Sequence, residues 1–164
     1  MNEKLLDEIK NQDYAAITKK IEGFLKSQVA INNTNGVILG LSGGIDSSVI
    51  TYLCARVLKD KTLALIMPDT KISPKKETEE ALKIIEKLGI GYKLLDINLI
   101  VSEYSKYIEP NEHALGNLRA RVRANLLYYY ANSKNLLVVG SSDKSEFLIG
   151  YFTKFGDGSA DILP

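Results

Sequence analysis

Val37-Ile38-Leu39-Gly40-Leu41-Ser42-Gly43-Gly44-Ile45-Asp46-Ser47-Ser48 joins a short run, apolar on both faces, to a glycine-serine turn and then to a helical segment. Val37 to Leu41 is too short for a helix, and a strand without polar alternation belongs where helices cover both sides of a parallel sheet. In open sheets of that kind, ligands bind beyond the carboxyl ends of strands, where loops lead into helices. The two glycines let backbone amides approach a phosphate with no Cβ in the way. The hydroxyls of Ser42, Ser47 and Ser48 can donate to phosphate oxygens, and the following helix aims its positive end at them. Asp46 would repel bare phosphate, so its expected role is to hold a Mg²⁺ that the phosphates also coordinate. The Gly-Lys-Ser/Thr ending of a Walker A loop is absent.

The same alternation extends to both sides. Ile17, Ile21, Phe24 and Leu25 recur at helical spacing among charged residues, which predicts an amphipathic helix from about Asp13 towards Val29, stopped by the turn cluster Asn32 to Gly36. After the loop, Ser48 to Leu58 reads as a helix and Thr62 to Met67 as a second buried strand ended by Pro68. Pro74 opens a helix running to about Leu88, with Gly89 at its exit. Tyr92 to Ile97 is a third strand, Leu115 to Ala131 a longer helix, Leu136 to Val139 a fourth strand, and a helix follows from about Asp143. Strands alternating with helices predict an α/β fold with a doubly wound parallel sheet.

Composition narrows the class. A chain of 164 residues is the size of one domain, here 1–164 with its amino-terminal helix, and 45% hydrophobic with 25% charged residues is ordinary for a globular protein. A net charge of +1 supplies no global field towards nucleic acid or an anionic membrane. The one cysteine, Cys54, excludes an internal disulfide framework and suits a reducing cytoplasm. No apolar stretch approaches the ~20 residues that span a bilayer, and Met1 to Lys10 does not read as a signal peptide. Gly156-Asp157-Gly158-Ser159-Ala160-Asp161 is loop chemistry close to the end at Pro164, so the domain is expected to be cut short.

Ser42 to Ser47 resembles the pyrophosphate-binding loop of the ATP pyrophosphatases, which split ATP between its α- and β-phosphates and transfer AMP. Three further stretches narrow the resemblance to ammonia-dependent NAD synthetases. They are Gly116-Asn117-Leu118-Arg119-Ala120-Arg121-Val122-Arg123, Val139 to Glu146, and Gly150-Tyr151-Phe152-Thr153-Lys154-Phe155-Gly156-Asp157-Gly158 followed by Asp161. Lys144-Ser145-Glu146 leans towards archaeal members. The resemblance implies the three-layer sandwich of the adenine nucleotide α hydrolase-like folds and a homodimer. It also implies a reaction in which deamido-NAD, ATP and ammonia give NAD, AMP and pyrophosphate through an adenylated intermediate.

Residue by residue, the resemblance implies that Gly40, Leu41, Ser42, Gly43, Gly44, Ile45, Asp46, Ser47 and Ser141 contact ATP. Asp46 and Glu146 would hold Mg²⁺, and Arg121, Lys154 and Asp161 would hold deamido-NAD. No nucleophile–base pair involving Cys54 or His113 is recognisable, and adenylyl transfer needs alignment and charge stabilisation rather than covalent help. Ser159 replaces a usual glycine, which predicts strain or a shifted loop if that backbone needs positive φ. Plainer readings leave Arg119 and Arg123 at the surface or an interface, His113 at the surface, Cys54 in the core, and Tyr128-Tyr129-Tyr130 divided between core and a subunit contact. The competing functions are another ATP pyrophosphatase, GMP-forming or tRNA-modifying, and a shortened nucleotide-binding module without turnover.

Overall fold

Period-two alternation decides which side chains meet which helices. In the computed structural model, which describes residues 11–164, four parallel strands form one sheet in the order β3-β2-β1-β4. The reading of Met1 to Lys10 lies outside the described residues. The strands are β1 (Gly36–Gly40), β2 (Thr62–Ile66), β3 (Gly91–Leu94) and β4 (Leu136–Val139). Val37, Leu39, Ala64, Ile66, Leu137 and Val139 point to one face. There they pack on α1 (Tyr14–Ile31), α2 (Ile45–Leu58) and α3 (Lys75–Leu88) through Leu25, Val29, Ile50, Cys54, Ala81 and Ile85. Ile38, Leu65 and Val138 point to the other face, against α4 (Asn98–Tyr104) and α5 (Glu112–Lys134) through Val101, Val122 and Ala131. Each valine, leucine or isoleucine among them, if fully removed from water, contributes about 1.5–3 kcal/mol. The fold is therefore the doubly wound α/β sandwich expected from the sequence.

Local chemistry sets the boundaries. The Asp13 side chain accepts from Ala16 N at 2.9 Å and starts α1, which runs two residues past the expected end. Helix α2 begins at Ile45, inside the loop rather than after it, and α5 extends from Glu112 to Lys134, longer than predicted at both ends. The third strand is shorter than predicted. The Asp96 carboxylate accepts from Asn98 N at 2.9 Å and from Thr70, and the chain turns there into α4, which the sequence reading did not contain. The last helix, α6 (Lys144–Ile149), opens with a reciprocal cap between Asp143 and Glu146. Cys54 is buried in the core, and burial pushes its thiol up to about 12.

Strands β1 and β4 are neighbours although about a hundred residues separate them. Gly36 lies opposite Leu136 and Leu39 opposite Val139. At the foot of this pair, Asn35 N donates to Asn135 O at 2.7 Å, Asn35 Nδ2 to Lys134 O at 2.8 Å, and Asn135 Nδ2 to Asn33 O at 3.1 Å. The chain crosses one way from β1 to β2 and β3, then returns to place β4 on the other side of β1. The loops leaving β1 and β4 diverge at that switch point, the place where open α/β sheets hold ligands.

Candidate functional site

The loop after β1 is held by its own hydroxyls. Ser42 Oγ lies 2.9 Å from Ser47 Oγ and accepts from Gly44 N at 3.1 Å, while Ser47 and Ser48 donate to Gly44 O. These hydroxyls were expected to face phosphate; in the structure they brace the turn. The amides at the start of α2 have no acceptor within the helix and are the donors the loop offers. Gly43 has φ +90°, and a Cβ there would overlap the Glu77 carbonyl oxygen. Its lack of a side chain is thus required by packing of the loop on α3. Gly44, at φ −74°, carries no such constraint.

Beside this loop, over the carboxyl ends of β1, β2 and β4, lies a cleft of about 440 Å³. Gly40, Leu41, Leu65 and Val138 form its floor, and Ala120, Ala124 and Leu127 of α5 form an apolar wall. Ser73, Glu77 and Thr78 face that wall, and Ser141, Gly156, Asp157 and Ser159 close the far side. Of the predicted nucleotide contacts, Gly40, Leu41, Ser42, Ser47 and Ser141 line the cleft, whereas Gly43, Gly44, Ile45 and Asp46 do not.

Arg119 and Arg123, read from the sequence as surface or interface residues, are partly buried against the segment after β2. Asp69 is 1% exposed, and its Oδ2 accepts from Arg119 Nε at 2.8 Å; the arginine side chain is 12% exposed. One turn further along α5, Arg123 Nε donates to Met67 O at 2.9 Å, and the side chain lines the cleft. Burial lowers the Arg123 pKa, with Asp69 and Glu77 opposing that and Arg119 adding to it. Asp69 Oδ1 also accepts from Lys71 N, so the segment after β2 is tied to α5. Spacing of four on a helix was a readable sign that Arg119 and Arg123 share a face; the carboxylate fifty residues earlier was not readable.

The segment after β4 carries the other expected contacts. Arg121 Nε donates to Lys154 O at 3.2 Å, which brings these two together through the backbone, and Thr153 Oγ1 meets Asn117 Oδ1 at 2.8 Å. Asp161 turns inward: Oδ1 accepts from Tyr128 OH at 3.1 Å and Oδ2 from Val138 N at 2.7 Å. That environment pushes the Tyr128 hydroxyl up to about 12, through burial first and the Asp161 charge second. Tyr130 is partly buried against the core and Tyr129 is exposed. Arg121, Lys154 and Asp161 do not line the cleft; they stitch α5, the 150–161 loop and β4 together. Ser159 is not at positive φ, so the anticipated strain is absent there, and Phe155 (φ 61°) takes the left-handed position instead.

Among the described residues no three His, Cys, Asp or Glu side chains cluster as a metal site. Asp46 and Glu146 lie in the first turns of α2 and α6, the helices that leave adjacent strands. Two carboxylates suit Mg²⁺ when phosphate oxygens and water complete the shell. Glu146 has one oxygen committed to Asp143 N at 3.3 Å, which leaves the other for a ligand.

Residues 17–164 match the family described as NAD synthase. The NH3-dependent NAD(+) synthetase of Hyperthermus butylicus is 47% identical over 162 residues, covering 97% of this chain and 59% of the relative. The chain thus spans about three fifths of the length of the curated relatives it matches. The solved NH3-dependent NAD synthetase of Campylobacter jejuni superposes with a TM-score of 0.90 at 42% identity, over 93% of this chain and 67% of that one. The NMN synthetase of Francisella tularensis superposes with a TM-score of 0.87 at 34% identity, over 94% and 65%. A glycine-serine loop and an apolar cleft at the switch point of a parallel sheet, with this extent of likeness, place the chain in the NAD synthase family.

Proposed function

We propose that this chain forms the ATP-binding part of an ammonia-dependent NAD synthetase. The observation that carries the reading is the position of the Ser42–Ser47 loop beside an apolar cleft at the switch point, in a chain of this family. The cleft takes the nucleoside of ATP, and the amides opening α2 receive its outer phosphates. A carboxylate oxygen of deamido-NAD attacks the α-phosphorus, the bond to the bridging oxygen breaks, and pyrophosphate leaves against the loop. Ammonia then attacks the carbonyl carbon of the mixed anhydride, loses a proton, and AMP departs. Mg²⁺ when bound neutralises phosphate charge, and Asp46 and Glu146 would hold it. Arg121 and Lys154 act on the dinucleotide side, and Asp161, its oxygens taken by Tyr128 and Val138, orders the 150–161 loop there.

No helix of the described residues is long and apolar enough to cross a membrane. The reading places the protein in the cytoplasm as a homodimer; exposed Leu99, Tyr104, Tyr107 and Tyr129 on and beside α4 and α5 support a subunit contact. The test is incubation with ATP, Mg²⁺, ammonium and deamido-NAD, with NAD, AMP and pyrophosphate quantified. A parallel arm offers the mononucleotide, because the Francisella relative is an NMN synthetase. Formation of AMP that depends on deamido-NAD and falls at least about tenfold in Asp46→Asn supports the assignment. Failure of the chain to bind ATP·Mg²⁺ removes it.

A further inference from the structure

We infer that Arg123 is the cation that receives the α-phosphate of the nucleotide in the cleft, with the buried Asp69–Arg119 pair as its positioning device. The inference rests on the nucleotide reading above and adds a residue to it. Arg123 lines the cleft together with Ala120, Ala124 and Leu127 of the same helix. Its Nε–H is committed to Met67 O at 2.9 Å, which fixes the plane of the guanidinium and leaves its forked Nη end for the cleft.

Charge accounting says what that end is for. Two guanidinium groups, Arg119 and Arg123, share one buried carboxylate, Asp69, and Asp69 is bonded to Arg119. Asp69 is thus taken up by Arg119, and the arginine that reaches the cleft has no carboxylate bonded to it. Among the described residues no ion pair engages Arg123, and the charge of Glu77, which also lines the cleft, favours the protonated guanidinium. A half-buried cation with no anion bonded to it, beside an apolar slot, loses solvation that a ligand anion restores. Bases are neutral, and the outer phosphates lie against the loop amides. The phosphate next to the ribose is the remaining anion, and it is also where charge grows during adenylyl transfer.

Arg119 has no access to the ligand in this scheme. It holds Asp69, and Asp69 holds the segment carrying Met67 against α5, so the pair sets where the Arg123 fork points. Such a role predicts a signature that simple loss of stability does not produce: selectivity for a phosphate over its absence.

The experiment measures dissociation constants of the full chain for ATP·Mg²⁺, AMP and adenosine by calorimetry, in wild type, Arg123→Gln and Arg123→Lys. Glutamine keeps a planar donor for Met67 O without the charge, and lysine keeps the charge without the fork. Wild type is expected to prefer AMP to adenosine by roughly tenfold to a hundredfold, as for a charge-assisted hydrogen bond. In Arg123→Gln the two ligands should converge while adenosine affinity stays unchanged, which also shows that the cleft is folded. Arg123→Lys should retain part of the preference. If Arg123→Gln keeps the wild-type preference for AMP, or loses adenosine and AMP binding equally while its thermal midpoint is unchanged, the assignment of Arg123 is overturned and the nucleotide reading stands. If wild type binds neither ATP nor AMP, both fall.

Discussion

Replacing Asp69 by alanine removes the one buried carboxylate that α5 uses to grip the segment after β2. At 2.8 Å and an effective dielectric constant of about 20, the pair has a gross attraction of about 6 kcal/mol, most of it offset by the loss of solvation on burial. The relevant number is different, because alanine leaves Arg119, only 12% exposed, without a partner and next to the second cation Arg123. Truncating one member of a buried pair costs about 3–5 kcal/mol. For a chain of this size that is a fall of about 6–20 °C in thermal midpoint. Asp69→Asn, which keeps an acceptor for Lys71 N, should fall less far. The decisive measurement is a cycle of Asp69→Leu, Arg119→Met and the double variant, followed by urea denaturation. Removing both charges should recover most of what either single change loses, giving a coupling of at least about 2 kcal/mol. An additive cycle, or an Asp69→Ala protein melting within about 2 °C of wild type, would refute the view that this pair fastens the cleft wall.

Two further outcomes follow from particular contacts. Gly43→Ala combines φ +90° with overlap at Glu77 O, so it should lower stability by about 2 kcal/mol or more in urea titrations, whereas Gly44→Ala should change it by less than about 1 kcal/mol; equal effects would show that the loop is not braced on α3. Tyr128→Phe should be less stable than wild type at pH 8. Because the folded hydroxyl is raised to about 12, its contribution is complete below the unfolded value of about 10 and disappears as pH rises from there towards 12. A gap between the two proteins that stays constant across that range, read by urea denaturation, would contradict the link to Asp161.

The layer architecture was legible because each strand carries its own evidence: Val37 to Leu41 and Leu136 to Val139 are apolar on both faces, and the turn residues between elements are strong. Helix α4 was not legible. Leu95 and Ile97 carry the strand reading as far as Ile97, whereas the Asp96 side chain, accepting from Asn98 N, turns the chain into a helix at that point. The loop after β1 was found, but the reasons for its residues were partly different: Gly43 serves packing on Glu77, and the serine hydroxyls serve the turn. Arg119 and Arg123 were passed over because their partners, Asp69 and Met67, lie fifty or more residues away. Pairing across that distance has no signature in a single sequence. Motifs nominated residues for nucleotide contact; only the fold separated those lining the cleft from those, such as Asp161, whose oxygens are occupied by Tyr128 and Val138.

The asparagine clasp at the foot of β1 and β4 has a kinetic meaning. It joins turns about a hundred residues apart, and contacts that close so long a stretch of chain are reached late and slowly in folding. One side of the cleft arrives only with β4. Whatever occupies the cleft therefore binds the finished molecule and none of its earlier, half-assembled forms. Ligand added during refolding should leave the rate of assembly almost unchanged while slowing disassembly, making occupancy a clock for the last step of folding.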